Sequence, residues 1–297
     1  MDISKRVNFF MDTDAPLSAC TFLAEKRAYR SIAVEILAQM RLLCNPIKLI
    51  TSDYTNEQDL YQRAPLPPAD VCVVLSHDWP TVNEDPVWQA NFLSLFDRYD
   101  AVPTKEQAYF IFRKTNYLRE ILRTGRIALL PTFIVDDTID LSQLSSSILS
   151  IAQSTGKYVI KECFSAGKEG VHVCSFGTEE DIIQSLTNMQ QMLQQRVARF
   201  GRMCPFLTTE FIVQQYEPRF LTERETRLYF SEEKFLYAVG HVGWIDYNSW
   251  PSPVEPNLLS KELEMSRLIF EDIPFLRTYA LVRFDFGPEV FTNIFIL

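Results

Sequence analysis

The sequence predicts an α/β fold in two parts: a small doubly wound unit, followed by an α+β unit whose later part is mainly antiparallel. Near the amino terminus, short apolar segments alternate with a helical pattern. A helix with a recognisable start and stop follows near residue 104. Towards the carboxyl end, several strand-like segments succeed one another closely, which is typical of antiparallel pairing.

Composition supports a folded, soluble protein. Of its 297 residues, 47% are hydrophobic and 23% are charged, close to globular averages. The net charge of -9 opposes nucleic acid as a partner, because such binding depends on Lys and Arg neutralising phosphates. The six cysteines form no CxxC pair, and no stretch approaches the roughly 18 apolar residues of a membrane span. We therefore expect a cytoplasmic protein with reduced thiols and no membrane partner.

The amino-terminal pattern predicts a strand–helix–strand arrangement. Apolar side chains recur at helical spacing over 27–44, and Asn45-Pro46 supplies the stop. The segments 47–51 and 71–76 are short and apolar, as expected of buried parallel strands. This order favours a doubly wound unit over roughly the first 100 residues.

The next elements are a helix over 104–124, from the cap residue Thr104 to Gly125, and a strand over 129–135. From Thr178, the pattern T-E-E-D predicts a second long helix. Its inward-facing residues would be Ile182, Ile183, Leu186, Met189 and Leu193. The later strand-like segments are 208–216, 226–230, 235–242 and 279–286.

The segment 158–173, YVIKECFSAGKEGVHV, is the first candidate for chemistry. Glycines let backbone N–H groups approach phosphate oxygens, and lysines add positive charge. The residues of interest are Lys161, Ser165, Gly167, Lys168 and Gly170. The segment alone is equally well interpreted as a β-hairpin with a glycine turn, and it lacks the GK[ST] of a Walker loop.

The order of motifs along the chain carries more information than any one of them. Lys114 lies on the predicted first helix, and a P-T strand, the lysine-glycine hairpin and the segment TTEFIVQQYEP (208–218) follow; the segments ETRLYF (225–230) and LVRFDF (281–286) come last. This order resembles the ATP-grasp superfamily, especially glutathione synthetase-like and RimK-like ligases, over roughly 70–297. The resemblance implies a doubly wound domain over 1–103 and an ATP-grasp domain over 104–297, divided into subdomains 104–207 and 208–297.

The resemblance also implies roles for individual residues. Lys114 and Lys161 would hold the ATP phosphates, and the 165–170 loop would close over them. Gln214, Gln215 and Tyr216 would form the hinge that contacts adenine, although many relatives have a glutamate at one of the two glutamine positions. Glu225 would bind the ribose.

Two arginines and an aspartate complete the predicted site. Arg227 and Arg283 are suited to neutralising charge on a transferring phosphoryl group, although surface arginines on strands would produce the same pattern. Asp285 alternates with Phe284 and Phe286, and we expect an inward Asp, flanked by outward aromatics, that binds magnesium (Mg2+).

The family normally completes the magnesium site with an E-x-N motif on the next strand. If Thr292-Asn293 forms the turn, the residue after Leu297 would lie opposite Asp285, and the chain would be a fragment that ends before this motif. If the turn is 287–289 instead, Asn293 approaches Asp285 and the metal site is poorer. The first register is our expectation.

The resemblance implies an ATP-dependent carboxylate–amine ligase that works through an acyl phosphate, with ATP and magnesium as cofactors. Its substrates would be a small-molecule or peptide carboxylate and an amine. An ATP-grasp kinase with a hydroxyl acceptor is one alternative. The other is an ATP-binding assembly factor or pseudoenzyme with a degenerate metal site, for which the aromatic segment 231–256 could contact a partner protein.

Overall fold

The structure is a computed structural model. It describes residues 7–12, 47–52, 71–75, 96, 101–164, 170–202, 207–242 and 252–296. The helix predicted over 27–44 and the loop residues Ser165, Gly167 and Lys168 lie outside these ranges. None of the helices among the described residues is long and apolar enough to cross a membrane.

The first sheet is parallel and has four strands in the order β2-β1-β3-β4. They are β1 (Val7–Asp12), β2 (Ile47–Ser52), β3 (Val71–Leu75) and β4 (Ala101–Val102). The parallel strands predicted at 47–51 and 71–76 are confirmed. Strand β1 was not predicted, because a short apolar run at the start of a chain has no preceding turn signal to mark it as a strand.

The helix predicted over 104–124 is two helices, α1 (Lys105–Phe112) and α2 (Lys114–Thr124). The predicted ends are confirmed: Thr104 forms a capping box, and Gly125 ends α2 in the left-handed conformation with φ 63°. The prediction of a single helix was wrong, because Arg113 lies between the two helices with φ -84° and ψ 88°, which is not a helical conformation. The backbone N–H of Lys114 instead donates to the carbonyl of Cys163, at 3.1 Å.

The second sheet is antiparallel, in the order β5-β8-β6-β7. Its strands are β5 (Thr132–Val135), β6 (Lys157–Glu162), β7 (Val171–Ser175) and β8 (Phe211–Gln215). Helices α3 (Leu141–Ala152) and α4 (Glu179–Phe200) pack against it. In α4, Thr178 caps the helix and four of the five predicted inward residues are buried, whereas Ile183 is half-buried. Strand β8 belongs to this sheet although the predicted boundary at 207/208 precedes it.

The third sheet has five antiparallel strands in the order β11-β10-β9-β12-β13. They are β9 (Arg224–Ser231), β10 (Lys234–Val242), β11 (Ser252–Pro253), β12 (Val282–Gly287) and β13 (Val290–Ile296). The helix α5 (Ser260–Asp272) packs against the sheet through Phe270, whose ring meets those of Phe230 and Phe284. The predicted antiparallel character of the later part is confirmed.

The pairing of β12 with β13 corrects the expected register. Asp285 lies opposite Asn293, and the turn is formed by Pro288 and Glu289, the latter with φ 64°. The turn predicted at Thr292-Asn293 was wrong, because these two residues lie inside the continuous strand β13, whose Phe291 and Ile294 are both buried in the core. The argument that a residue beyond Leu297 faces Asp285 therefore has no basis.

Replacing Gly287 with alanine should destabilise the protein. A Cβ at this position would lie 1.8 Å from Cε1 of Phe220, so the ring would have to move. We expect a loss of about 1–3 kcal/mol in the free energy of unfolding, measured by urea denaturation. Gly177→Ala is the matched control, because its Cβ would meet nothing nearer than 3.4 Å. Equal stability of the two variants would contradict this packing.

Candidate functional site

Lys161 is part of a polar row that crosses the second sheet. Its Nζ donates to Oε1 of Gln214 at 2.7 Å, and Nε2 of Gln214 donates to Oγ1 of Thr132 at 2.8 Å. The three residues lie on β6, β8 and β5, so the row fixes the lysine across three strands. Gln214 is 8% exposed. Sequence analysis missed Thr132, since a threonine in a strand gives no signal of its partner.

Lys114 starts α2 and lies close to Lys161. The break at Arg113 and the bond from Lys114 to Cys163 bring this first turn against the end of β6. Burial, and then repulsion from Lys161, lowers the pKa of Lys114 to about 7. Burial also lowers the pKa of Lys161, to about 8, although the charge of Glu225 opposes the shift. The structure thus brings the two predicted lysines into one electrostatic environment.

The third sheet presents two arginine–carboxylate pairs. Arg227 donates from Nε to Glu225 at 2.8 Å within β9, and Arg283 donates to both carboxylate oxygens of Asp285, at 2.8 and 2.9 Å, within β12. Arg227 lies opposite Asp285 across the two strands. Arg227 is 7% exposed and Arg283 5%, so neither is a surface arginine.

The sequence predicted that the aromatic neighbours of Asp285 face outward, and this prediction was wrong. Phe284 and Phe286 are both buried, at 0% and 1% exposure. The expectation failed because α5 covers the other face of the sheet, where Phe270 meets Phe284 with ring centroids 5.0 Å apart. Strand β12 is therefore buried on both faces, and its polar residues lie in an enclosed environment.

The polar groups of the second and third sheets meet around Glu225. Burial and the neighbouring Asp285 raise the pKa of Glu225, against the opposing effect of Arg227. The charge of Glu225 also acts on Lys161 on the other sheet, where it opposes the burial that lowers the pKa of the lysine. These electrostatic links join four predicted cations, Lys114, Lys161, Arg227 and Arg283, and two carboxylates, Glu225 and Asp285, into one polar cluster, which we name the cleft.

The remaining predicted residues that the structure describes lie in the second sheet or next to the ends of its strands. Gln215 donates its backbone N–H to the carbonyl of Pro131 at 3.0 Å, and both Gln215 and Tyr216 are half-buried. The ring of Tyr216 lies 5.5 Å from Nζ of Lys157. Gly170, with φ 66°, accepts from the N–H of Glu162 at 2.8 Å and closes one side of the hairpin. Their roles towards a nucleotide stay predictions.

Solved structures with the same architecture are similar to almost the whole chain. A D-alanine–D-alanine ligase from Bacillus anthracis, solved with ATP, has a TM-score of 0.55 at 13% identity over 99% of this chain and 86% of its own. A D-cycloserine synthetase has a TM-score of 0.62 at 15% identity, over 98% and 91%. A RimK-domain ATP-grasp protein from Sphaerobacter thermophilus has a TM-score of 0.54 at 10% identity, over 97% and 90%. The chain has the ATP-grasp fold.

Likeness to this fold is visible in the structure and not in sequence comparison. No family model matches the chain, and no curated protein matches it either. At 10–15% identity, the structural neighbours establish the ATP-grasp architecture, and the residues of the cleft have to be judged by their own contacts.

The residues at the expected magnesium position do not fit that ion. Asp285 is bound through both oxygens to Arg283, and the residue opposite is a neutral amide, Asn293. From this position the strand reads Asn293-Ile294-Phe295, which differs from the E-x-N motif that the resemblance implies. In the part of the chain that the structure describes, no group of three or more His, Cys, Asp or Glu side chains is arranged to hold a metal. Asp285 as a metal ligand stays a prediction that this geometry does not favour.

Glu210 fixes the start of α2 and was missed by sequence analysis. Its carboxylate accepts from Oγ1 of Thr115 at 2.7 Å and from Arg119 at 2.8 Å, and lies 3.0 Å from Nη2 of Arg113. Arg113 and Thr115 flank Lys114 in the sequence, so their contacts with Glu210 tie the start of α2 to the segment that leads into β8. Burial alone would raise the pKa of Glu210, but the bonds from Arg119 and Thr115 and the charge of Arg113 lower it.

Glu210→Gln should lower the free energy of unfolding by about 1.5–3 kcal/mol at pH 7, because it removes charge-assisted hydrogen bonds from a half-buried network. Since the pKa of Glu210 is lowered in the folded state, its contribution is present above the ordinary glutamate range and is lost as the pH falls through the folded value. Glu120→Gln is the control, as it disrupts only an exposed ion pair worth about 0–1 kcal/mol. Equal effects in urea denaturation would contradict the role of Glu210.

Proposed function

We propose that this ATP-grasp chain binds ATP in the cleft between the second and third sheets, with Lys114 and Lys161 on its phosphates. The observation that carries the proposal is that two half-buried lysines from separate elements lie close enough for the charge of Lys161 to lower the pKa of Lys114. Burying two like charges together is unfavourable unless an anion compensates them. A polyphosphate would restore the ordinary charged state of both lysines.

The rest of the nucleotide would extend from this phosphate end along β8. The backbone of Tyr216 continues past the strand end at Gln215, and backbone groups at a strand end are suited to an adenine edge. Glu225, half-buried and near Lys161, is suited to accept hydrogen bonds from ribose hydroxyls. The Lys161–Gln214 bond would hold the phosphate lysine beside the adenine hinge.

The reaction proposed is carboxylate–amine ligation. The substrate carboxylate attacks the terminal phosphorus of ATP, ADP leaves, and an acyl phosphate forms. An amine then attacks the acyl carbon, phosphate leaves with the bonding electrons, and the amine proton is released as the amide forms. Arg227 and Arg283 would stabilise the charge on the transferred phosphoryl group. The names of the structural neighbours, a ligase and a synthetase, support this reaction class.

Two observations favour a second candidate, an ATP-binding assembly factor without turnover. Asn293 faces Asp285 where a carboxylate would be expected for catalysis. In addition, β10 exposes the apolar residues Leu236 and Tyr237, at 46% and 43%, which could contact a partner protein. This candidate shares the ATP site and differs only in chemistry.

Phosphate release separates the two candidates. A ligase should release phosphate from ATP only when both a carboxylate and an amine are present, because the acyl phosphate needs the amine to break down productively. Free phosphate would be measured with an acid library alone, an amine library alone and both together. Release that requires both supports ligation. Saturable ATP binding without release under any of these conditions supports the assembly factor and overturns the ligase.

A further inference from the structure

We infer that nucleotide binding by this chain does not depend on a divalent metal, because the groups at the metal position are already committed to protein partners and cations of the chain take the phosphate charge. The inference rests on the proposed ATP site and concerns how that site balances charge. Three observations carry it: the bonding of Asp285, the bonding of Asn293, and the cations around them.

Asp285 has both oxygens engaged by one buried guanidinium. Nε and Nη2 of Arg283 donate to Oδ1 and Oδ2 at 2.8 and 2.9 Å, and both residues are 5% exposed. A metal ion bound through this carboxylate would have to displace the arginine from a paired, parallel arrangement. The displaced guanidinium would then be a buried positive charge without its carboxylate partner, which is strongly unfavourable. The carboxylate is thus the partner of Arg283.

Asn293 has no remaining capacity for a metal. Its Oδ1 accepts from the hydroxyl of Tyr117 and from the backbone N–H of Ile294, the latter at 3.1 Å. An amide oxygen has two lone pairs, and these two donors use both. Tyr117 is 1% exposed, so its hydroxyl cannot turn to water without rearrangement of the core. The residue two positions further is Phe295, a type without a side-chain oxygen.

The chain supplies positive charge where a metal would otherwise do so. Arg227 and Arg283 are each paired with an acid, and Lys114 and Lys161 add two further cations to the same cluster. Electrostatic stabilisation of phosphates can come from Lys and Arg as well as from a metal ion. A magnesium ion bound to ATP would add two further positive charges to a cleft that already holds these lysines.

The dissociation constant of ATP tests this directly, measured by titration calorimetry with the full chain in excess EDTA and again with millimolar magnesium. We expect the two values to agree within about threefold. Binding that strengthens more than about tenfold with magnesium would overturn the inference while leaving the ATP site intact. A folded protein that binds ATP in neither condition would overturn the proposed function, and the inference with it.

Two variants identify the residues responsible. Asp285→Asn weakens the hold on Arg283, so ATP affinity should fall by the same factor in EDTA and in magnesium; a fall seen only with magnesium would make Asp285 a metal ligand. Asn293→Glu introduces a second carboxylate opposite Asp285, and ATP binding should then become about tenfold stronger with magnesium than without. If Asn293→Glu remains indifferent to magnesium, the neutral amide is not the cause of metal independence.

Discussion

Lys161→Ala should weaken ATP binding by about ten- to a hundredfold, the largest single effect we expect. The variant removes one charge-assisted contact with the phosphates, worth about 1.5–3 kcal/mol. The lysine is held by Gln214 rather than free to adapt, so its ammonium is already positioned for the ligand. Titration calorimetry with ATP measures the change.

Lys234→Ala is the matched control, because Lys234 is exposed at the start of β10. It removes the same charge from the protein without touching the cleft, so its ATP affinity should equal that of the unmodified chain. Circular dichroism would establish that both variants fold. Unchanged ATP affinity in a folded Lys161→Ala protein would exclude Lys161 from the site.

ATP affinity should fall by at least about tenfold as the pH rises from 7.5 to 9.5. Because the pKa values of Lys114 and Lys161 are lowered to about 7 and about 8, both lysines lose their protons in the empty protein over this range or below it. Phosphates favour the charged forms of the lysines, so ATP binding has to take up protons. For each proton taken up, the affinity for ATP falls by up to tenfold per pH unit. Calorimetry in buffers of different ionisation enthalpy measures this uptake.

Stability without ATP should change with pH in the opposite direction. The unfolded lysines keep their protons up to about 10.5, whereas the folded ones release them near 7 and 8, so the unfolded chain binds more protons in between. These lysines therefore destabilise the fold below pH 7, and this effect is lost as the pH rises to about 10.5. Lys161→Arg, with a permanent charge, should bind ATP with a smaller pH dependence. An affinity that is flat with pH would contradict the lowered pKa values.

Local sequence signals predicted the ends of helices well. Thr104, Gly125 and Thr178 have side-chain or backbone properties that act within a few residues, so their roles follow from the sequence. The break at Arg113 depends on Cys163, some fifty residues away, and no local pattern indicates it. The same distinction explains why the inward face of α4 was predicted and the strand β1 was not.

The site was predictable in its residue types but not in their partners. The lysines, arginines and Asp285 could be named because their order along the chain resembles a known superfamily. The bonds from Lys161 to Gln214 and from Gln214 to Thr132, and the pairing of Asp285 with Asn293, join different strands. The register of β12 and β13 is decided by core packing of residues such as Phe291. A one-step change of register would have placed another residue opposite Asp285.

The central claim, that Lys114 and Lys161 hold the phosphates of one bound ATP, can be tested with an ATP derivative that carries an acyl group on its terminal phosphate. Such a derivative transfers its acyl group to lysine amines beside the phosphates, and mass spectrometry then identifies the labelled residues. We predict labelling of Lys114 and Lys161 that excess ATP suppresses. Labelling confined to exposed lysines such as Lys234 and Lys261, or labelling that ATP does not suppress, would contradict the assignment of this cleft as the ATP site.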